Sequence, residues 1–431
     1  MMNEQLKKEQ MKQKIDQLSE ALTQIFTEDS EEMKLPVSTK KRKGNPDFRI
    51  EDAEEDALPL VSVIMPVYNA EKYLKNSLHA VLNQKYRNLE VICINDGSTD
   101  NSLSILQNIA KTDDRVRIIN QENAGPAHAR NAGLDAATGK YISFVDADDT
   151  LDMWMYYCLV ERAEQEDADI IVFGGTPFPD SDRAPKWIWE KLSPYNITYE
   201  DENAGSDALF RENSSKPFIW LHFLRRDLIE AAPKLRMNES MDLGEDQLFQ
   251  FMYFPRAEKV VFWDKRFYFY RWFNEGSLMW TYNNKKVTKF KKHLQIIENV
   301  FASWKQAGYA DPYGDLISWM VGFIYYDLVS FPKYMQHKFA VQLMEIAEKY
   351  DQHVYMCNEY EMEHGKEIQK LAEEDVPFDE AITELKDEIA RTEDEIQAIL
   401  HSKAFKLGTY MTPHPKRLDI NSVLPPTKKR N

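Results

Sequence analysis

The sequence has three cysteines in 431 residues, Cys93, Cys158 and Cys357, too few for a disulfide framework. Cys93 falls inside an apolar run, where a thiol serves as plain core. No run of about 18 apolar residues occurs, so no membrane-spanning helix is expected. The N-terminus lacks an apolar signal core, which gives the expectation of a cytoplasmic chain that is not exported. Cations are outnumbered, 54 Lys and Arg against 71 Asp and Glu, and the net charge of −17 argues against a nucleic-acid partner. Binding a phosphate backbone needs clustered cations. The length suits roughly two or three domains, each able to bury its own core.

What the chain does have is an alternation of apolar runs and amphipathic stretches. Residues 60–65 are expected to form a buried strand broken by Pro66-Val67-Tyr68-Asn69. Residues 71–84 carry helical spacing through Tyr73, Leu74, Leu78, Val81 and Leu82. A second strand over 89–94 ends in Asn95-Asp96-Gly97-Ser98-Thr99-Asp100, a turn rich in cap residues that leads into a helix over 102–111. A third strand, 116–119, precedes Gln121-Glu122-Asn123-Ala124-Gly125-Pro126 and a helix over 126–137 that carries Arg130 and Asn131. A fourth covers 141–145 and a fifth 169–173. Continuous apolar strands alternating with amphipathic helices imply an α/β fold with a mostly parallel sheet covered on both faces.

The fourth strand runs directly into Asp146-Ala147-Asp148-Asp149. A buried strand ending in clustered carboxylates builds an all-oxygen site at the edge where open α/β sheets bind ligands. Packed carboxylates repel, and stay ionised together only when a cation or strong donors neutralise them. Mg²⁺ and Mn²⁺ favour such sites and share them with substrate phosphates. Alone, an Asp-x-Asp is more often a plain acidic turn after a strand; the upstream motifs change that balance.

Those motifs are Val61-Ser62-Val63-Ile64-Met65-Pro66-Val67-Tyr68-Asn69, Ile94-Asn95-Asp96-Gly97-Ser98-Thr99-Asp100, Asn123-Ala124-Gly125-Pro126-Ala127-His128-Ala129-Arg130-Asn131-Ala132-Gly133 and Phe144-Val145-Asp146-Ala147-Asp148-Asp149. With them, residues 60–173 resemble the nucleotide-sugar half of a bacterial, inverting family 2 glycosyltransferase of GT-A (Rossmann-like) fold. The acceptor side resembles the family through Leu243-Gly244-Glu245-Asp246-Gln247-Leu248-Phe249 and Tyr268-Phe269-Tyr270-Arg271, with Ser277 beyond.

The resemblance implies a UDP-sugar donor held with Mn²⁺ or Mg²⁺. It places Pro66 and Tyr68 against the nucleobase, Asn69 and Asn123 in the donor loops, and Asp96 as acceptor of the base's imide N–H. Arg130 is to meet the diphosphate or hold the Asp96 carboxylate. Asp146 holds the ribose or a metal-bound water, Ala147 lines the donor site, Asp148 ligates the metal, and Asp149 is left as a cap for a helix starting near Asp152. Arg271 and Ser277 match a phosphate-contacting loop. Inversion needs one displacement, in which the acceptor hydroxyl is deprotonated as it attacks. Asp246 matches the base, and Glu245 beside it is to hold a metal-bound water or an acceptor hydroxyl. Both acids also suit the first turn of a helix. In Trp220-Leu221-His222 the sequence departs from relatives that carry Lys at the last position, and the role of His222 stays open.

The expected organisation is a helical and charged extension over 1–58 and a catalytic domain over 59–280, divided into a nucleotide-sugar half (59–175) and an acceptor half (176–280). A helical C-terminal domain (281–378) follows, then an amphipathic helix with a basic tail (379–431). Met11, Ile15, Leu18, Leu22 and Ile25, and again Ile382, Leu385, Ile389, Ile396 and Ile399, sit at heptad-like spacing. A coiled coil and packing onto the catalytic body account for this equally, and the first would support a homo-oligomer. The aromatics Trp319, Phe323, Tyr325 and Tyr326 are expected in the core. The tail after Ser402 mixes basic and apolar residues, which suits a peripheral contact with the inner face of a membrane and equally a simple charged tail. The implied acceptor is a growing cell-surface glycan, lipid-linked or polymeric, with a protein side chain as the other option. Two other classes compete. A processive membrane synthase would need a Gln-x-x-Arg-Trp element, but Tyr268 stands where Gln would be, ahead of Arg271-Trp272. A non-catalytic nucleotide-binding scaffold would not need Asp96, Asp146, Asp148 and Asp246 together.

Overall fold

Strand β1, Val61–Val67, is apolar at odd and even positions because both its faces are covered. Val61, Val63 and Met65 enter one core, while Ile64 enters the other. The computed structural model describes residues 44–54, 57–179, 181–212, 218–272, 285–311 and 313–374. The heptad-spaced stretches, the basic tail and Ser277 lie outside them. β1 pairs in parallel with β2 (Leu89–Asp96), β2 with β3 (Val116–Gln121), and β1 on its other side with β4 (Tyr141–Phe144). The helices Leu74–Leu82, Ser102–Ala110 and Pro126–Ala136 connect these strands, so this half of the sheet is parallel as expected.

Pro66 does not break β1. The strand continues through it, with Pro66 opposite Ile94 and Val67 opposite Asn95. Pairing with β4 ends at Ile64, so the missing N–H of Pro66 leaves no ladder bond unmade on that side.

Beyond β4 the sheet is mixed. Its order is β3-β2-β1-β4-β8-β6-β9-β5, with β7 also on β9. The remaining strands are β5 (Thr150–Leu151), β6 (Ile170–Phe178), β7 (Ile197–Glu200), β8 (His222–Arg225) and β9 (Lys259–Arg271). β8 runs antiparallel to β4 and to β6, whereas β6 and β9 are parallel. A register shift at Gly174 and Gly175 bends β6 against β9. A Cβ on Gly174 would sit 3.0 Å from the Leu192 carbonyl oxygen, so the close approach there suits glycine.

Four long helices, Lys286–Ala307, Asp315–Val329, Lys333–Lys349 and Glu359–Glu373, follow the sheet. Their apolar stripes share one core with the strands. Ile64, Ile94 and Phe144 belong to the same cluster as Phe290, Ile297, Val300, Met320, Ile324, Leu343 and Ile368. Trp319, Phe323 and Tyr325 pack against this cluster, and Tyr326 is exposed. The segment ahead of β1 is tied to the helix Met155–Glu166 by the Asn45 N–H, which donates to the Glu164 carbonyl, and by the Gln165 amide, which donates to that of Phe48. Among the described residues no helix is long and apolar enough to cross a membrane.

Candidate functional site

The register brings the ends of β1, β2 and β3 level, with Val67 opposite Asn95 and Asp96 opposite Gln121. The loops that carry the four motifs of residues 60–149 therefore leave from one edge of the sheet. The first two loops are knit together. Asn69, at φ +48°, accepts the Thr99 N–H at 2.8 Å and donates its own N–H to Ser98 Oγ at 3.0 Å. Glu71 accepts from the Asn101 N–H and side-chain amide at 2.9 and 2.7 Å, and Asp100 accepts the Glu71 N–H at 2.9 Å. The Asn69 side chain thus holds the loop rather than reaching beyond it. Tyr68 is 54% exposed beside half-buried Pro66, which leaves an open ring next to a flat apolar surface.

Asp96 is buried and takes three donors: Gln121 Nε2 at 2.8 Å, the Ala124 N–H at 3.0 Å and the Gly125 N–H at 3.0 Å. Asn123 donates its amide to the Asp96 carbonyl at 3.1 Å. The carboxylate is thereby fixed against the loop that starts the Pro126–Ala136 helix, with one acceptor position left over from the roughly four a carboxylate offers.

Arg130 emerges from that helix but pairs elsewhere than Asp96. Its guanidinium, buried at 8% exposure, bridges Asp146 Oδ1 at 3.2 Å and Glu245 Oε1 at 3.1 Å. Burial works against its charge, yet Asp146, Glu245 and Asp246 more than offset that and hold the guanidinium above its ordinary pKa. A residue 115 positions upstream of Glu245 thus joins the two halves of the site. Asn131 makes a second join, donating to the Met237 carbonyl at 2.9 Å and to Glu239 at 2.8 Å and accepting the Met237 N–H at 2.8 Å.

Glu245 and Asp246 open the helix Glu245–Tyr253, whose N-cap is Gly244 at φ +79°. Asp246 is half-buried, and its carboxyl is raised to about 7, first by burial and then by repulsion from Glu245, with Arg130 pulling the other way. Behind it on the same helix, the Tyr253 hydroxyl meets Nδ1 of fully buried His222. His222 is therefore built into the core beneath the Asp246 helix.

Asp146 and Asp148 stand half-exposed at the mouth of the edge, whereas Ala147 and Asp149 are buried. Asp149 is not a helix cap. It accepts the Arg271 N–H at 2.6 Å, and burial together with Asp148 and Asp146 raises its carboxyl well above the usual range. The helix after it begins at Met155, and Asp152 accepts the Trp154 N–H at 2.8 Å. The Tyr268 hydroxyl, stacked through its ring on Trp220 at 4.4 Å, accepts the Asp146 N–H at 3.1 Å. Arg271 donates Nε to the Asp148 carbonyl at 2.9 Å.

Among the described residues no three His, Cys, Asp or Glu side chains converge as a closed metal cage. The carboxylates at this edge make an all-oxygen set, Asp148 with the Asp146 oxygen that Arg130 does not hold. This fits Mg²⁺ or Mn²⁺, which take a few protein carboxylates and complete their shell with phosphate and water. The sequence motifs assigned no site role to the side chains of Gln121 or Tyr268. Gln121 was signalled by its position at the end of β3, level with Asp96, and Tyr268 by its place in the Tyr268-Phe269-Tyr270-Arg271 stretch.

Residues 62–219 match the family described as Glycosyl transferase family 2. An uncharacterized glycosyltransferase of Bacillus subtilis (strain 168), EpsJ, is 35% identical over 214 residues, 50% of this chain and 61% of its own length. EpsH of the same organism is 32% identical over 280 residues, 58% of this chain and 79% of EpsH. The chain spans less than two thirds of the length of EpsJ. In fold it is similar to S. aureus TarS 1–349 in complex with UDP, at a TM-score of 0.55 and 16% identity, covering 72% of this chain and 87% of that one. A GT-A-like sheet with the motif residues gathered at one edge agrees with these likenesses, and the chain belongs to glycosyl transferase family 2.

Proposed function

We propose that the protein moves a sugar from a UDP-sugar to a hydroxyl of a growing bacterial cell-surface glycan, with inversion at the anomeric carbon. The observation that carries this reading is the placement of Asp246. A carboxyl raised to about 7 opens a helix beside the Arg130 bridge to Asp146, on the sheet edge that also presents Asp96 and Asp148. Near that value the group is ionised enough to take a proton and basic enough to hold one, as a general base must. Asp96 offers its remaining acceptor position to an imide N–H, and Tyr68 with Pro66 offers an apolar face to a base. Bound Mn²⁺ or Mg²⁺ at Asp148 and Asp146 would supply charge neutralisation for the departing diphosphate. Arg130 keeps Asp146 and Glu245 in register with one another, so the donor side and the base hold a fixed separation. UDP is the ligand in the TarS structure of similar fold, and the same nucleotide is proposed here.

The test is a screen of nucleotide sugars with Mn²⁺, scoring nucleoside diphosphate release and thermal stabilisation together. Release from one UDP-sugar, lost on chelation, is the expected result. If UDP stabilises the protein under no metal, the reading falls. If UDP binds but no donor is turned over with any glycan acceptor, the chain binds nucleotide without catalysis.

A further inference from the structure

Arg271 is a cation among carboxylates that, among the described residues, is paired with none of them through its guanidinium. It ends β9, where β5 and β6 flank it and bring it beside the acidic loop. Its backbone N–H goes to Asp149 and its Nε to the Asp148 carbonyl. The guanidinium carbon lies over two rings, 4.0 Å from the centroid of Tyr73 and 4.4 Å from that of Phe178. An ion pair would fix this side chain and cancel its charge. Two aromatic faces fix it and leave the charge in place. With two rings against the guanidinium and Nε taken, the donors that remain are the two Nη groups, which lie in the plane of the fork. A planar fork presented edge-on next to a metal-binding acidic loop matches the oxygens of a diphosphate.

We propose that Tyr73 and Phe178 are positioning residues, an aromatic clamp that holds Arg271 edge-on to the diphosphate of the donor. Tyr73 immediately precedes the Leu74–Leu82 helix and Phe178 ends β6, so the clamp closes across the mouth of the site from two separate elements. The inference rests on the donor-site reading above. It adds that the grip on phosphate depends on residues that never touch the nucleotide.

Calorimetry with UDP and with UMP, each with Mn²⁺, tests it on the full chain. Tyr73→Leu and Phe178→Leu keep apolar bulk but remove the π face, and each should weaken UDP binding about tenfold while UMP binding changes little. Tyr73→Phe, which restores the face, should bind UDP as the wild type does. Once Arg271→Ala is in place, adding Tyr73→Leu should cost nothing more, because the clamp acts only through Arg271. Melting curves identify any variant that fails to fold, and the phenylalanine variant together with the double variant then decides the matter. Unchanged UDP affinity in both leucine variants overturns the clamp, as does a further loss in the double variant. If the wild type itself binds no nucleoside diphosphate, the donor-site reading fails and takes the clamp with it.

Discussion

Asp246 combines burial, a negative neighbour and a positive one, and the balance leaves its carboxyl at about 7. A base works when ionised, so kcat/KM should rise as pH increases through about 7 and level off above it. Glu245→Gln removes the repulsive neighbour and frees Arg130 to face Asp246, so the same limb should move to lower pH. A profile that stays put would mean that another group sets it. Asp246→Asn should reduce transfer by about 10²- to 10⁴-fold and leave UDP affinity intact, a split that turnover and calorimetry together measure. Asp148→Ala should instead weaken UDP binding with Mn²⁺ and leave metal-free binding alone. The identity of each of these acids was legible in the sequence, because a motif states residue types and order. Their partners were not. Arg130 reaches Glu245 across 115 positions, and no local pattern encodes a pairing that the fold alone creates.

At the scale of elements, the close packing of the Pro126–Ala136 helix on β1 and β2 depends on Gly133. A Cβ there would lie 2.4 Å from Ile64 Cγ2 and 3.0 Å from Ile94 Cδ1, both in the core. Gly133→Val should lower stability by about 1–3 kcal/mol and shift Arg130, so donor affinity falls along with the melting temperature. Gly244 makes a second such joint, with a left-handed φ and Ile296 Cδ1 2.3 Å from where a Cβ would be. The strands β1, β2 and β4 were readable because each is buried on both faces, which leaves nearly uninterrupted apolar runs, and the edge strand β3 was readable from its place between two helices. β5, β7 and β8 were not, since strands of two to four residues carry no period of their own and owe their existence to antiparallel neighbours distant in sequence. His222 opens β8 as a buried residue for the same reason. Its setting comes from β4, β6 and the Tyr253 helix, all outside its own stretch.

For the whole molecule, the shared core bears on where domains end. Residues 59–280 were drawn as a catalytic domain apart from the helices after them, yet Phe290, Ile297 and Phe301 fill the same core as Ile94 and Phe144. A chain ending at residue 285 should lose its cooperative melt and aggregate, because the apolar surface under these helices becomes exposed. A sharp transition near the full-length temperature would instead make the helices a separate domain. The strand order has a mechanical side as well. Only Val145 to Asp149 separates β4 from β5, yet β8, β6 and β9 lie between them in the sheet. Laid flat at about 4.8 Å per strand, those four steps would span roughly 19 Å, close to the full reach of so short a connection. The acidic loop, turned by the Asp149 N–H donating to the Asp146 carbonyl, therefore joins the two strands only because the sheet curls. Flattening the sheet would have to stretch that turn, so the placement of Asp146 and Asp148, the proposed holders of a divalent ion, should change with the spread of the sheet.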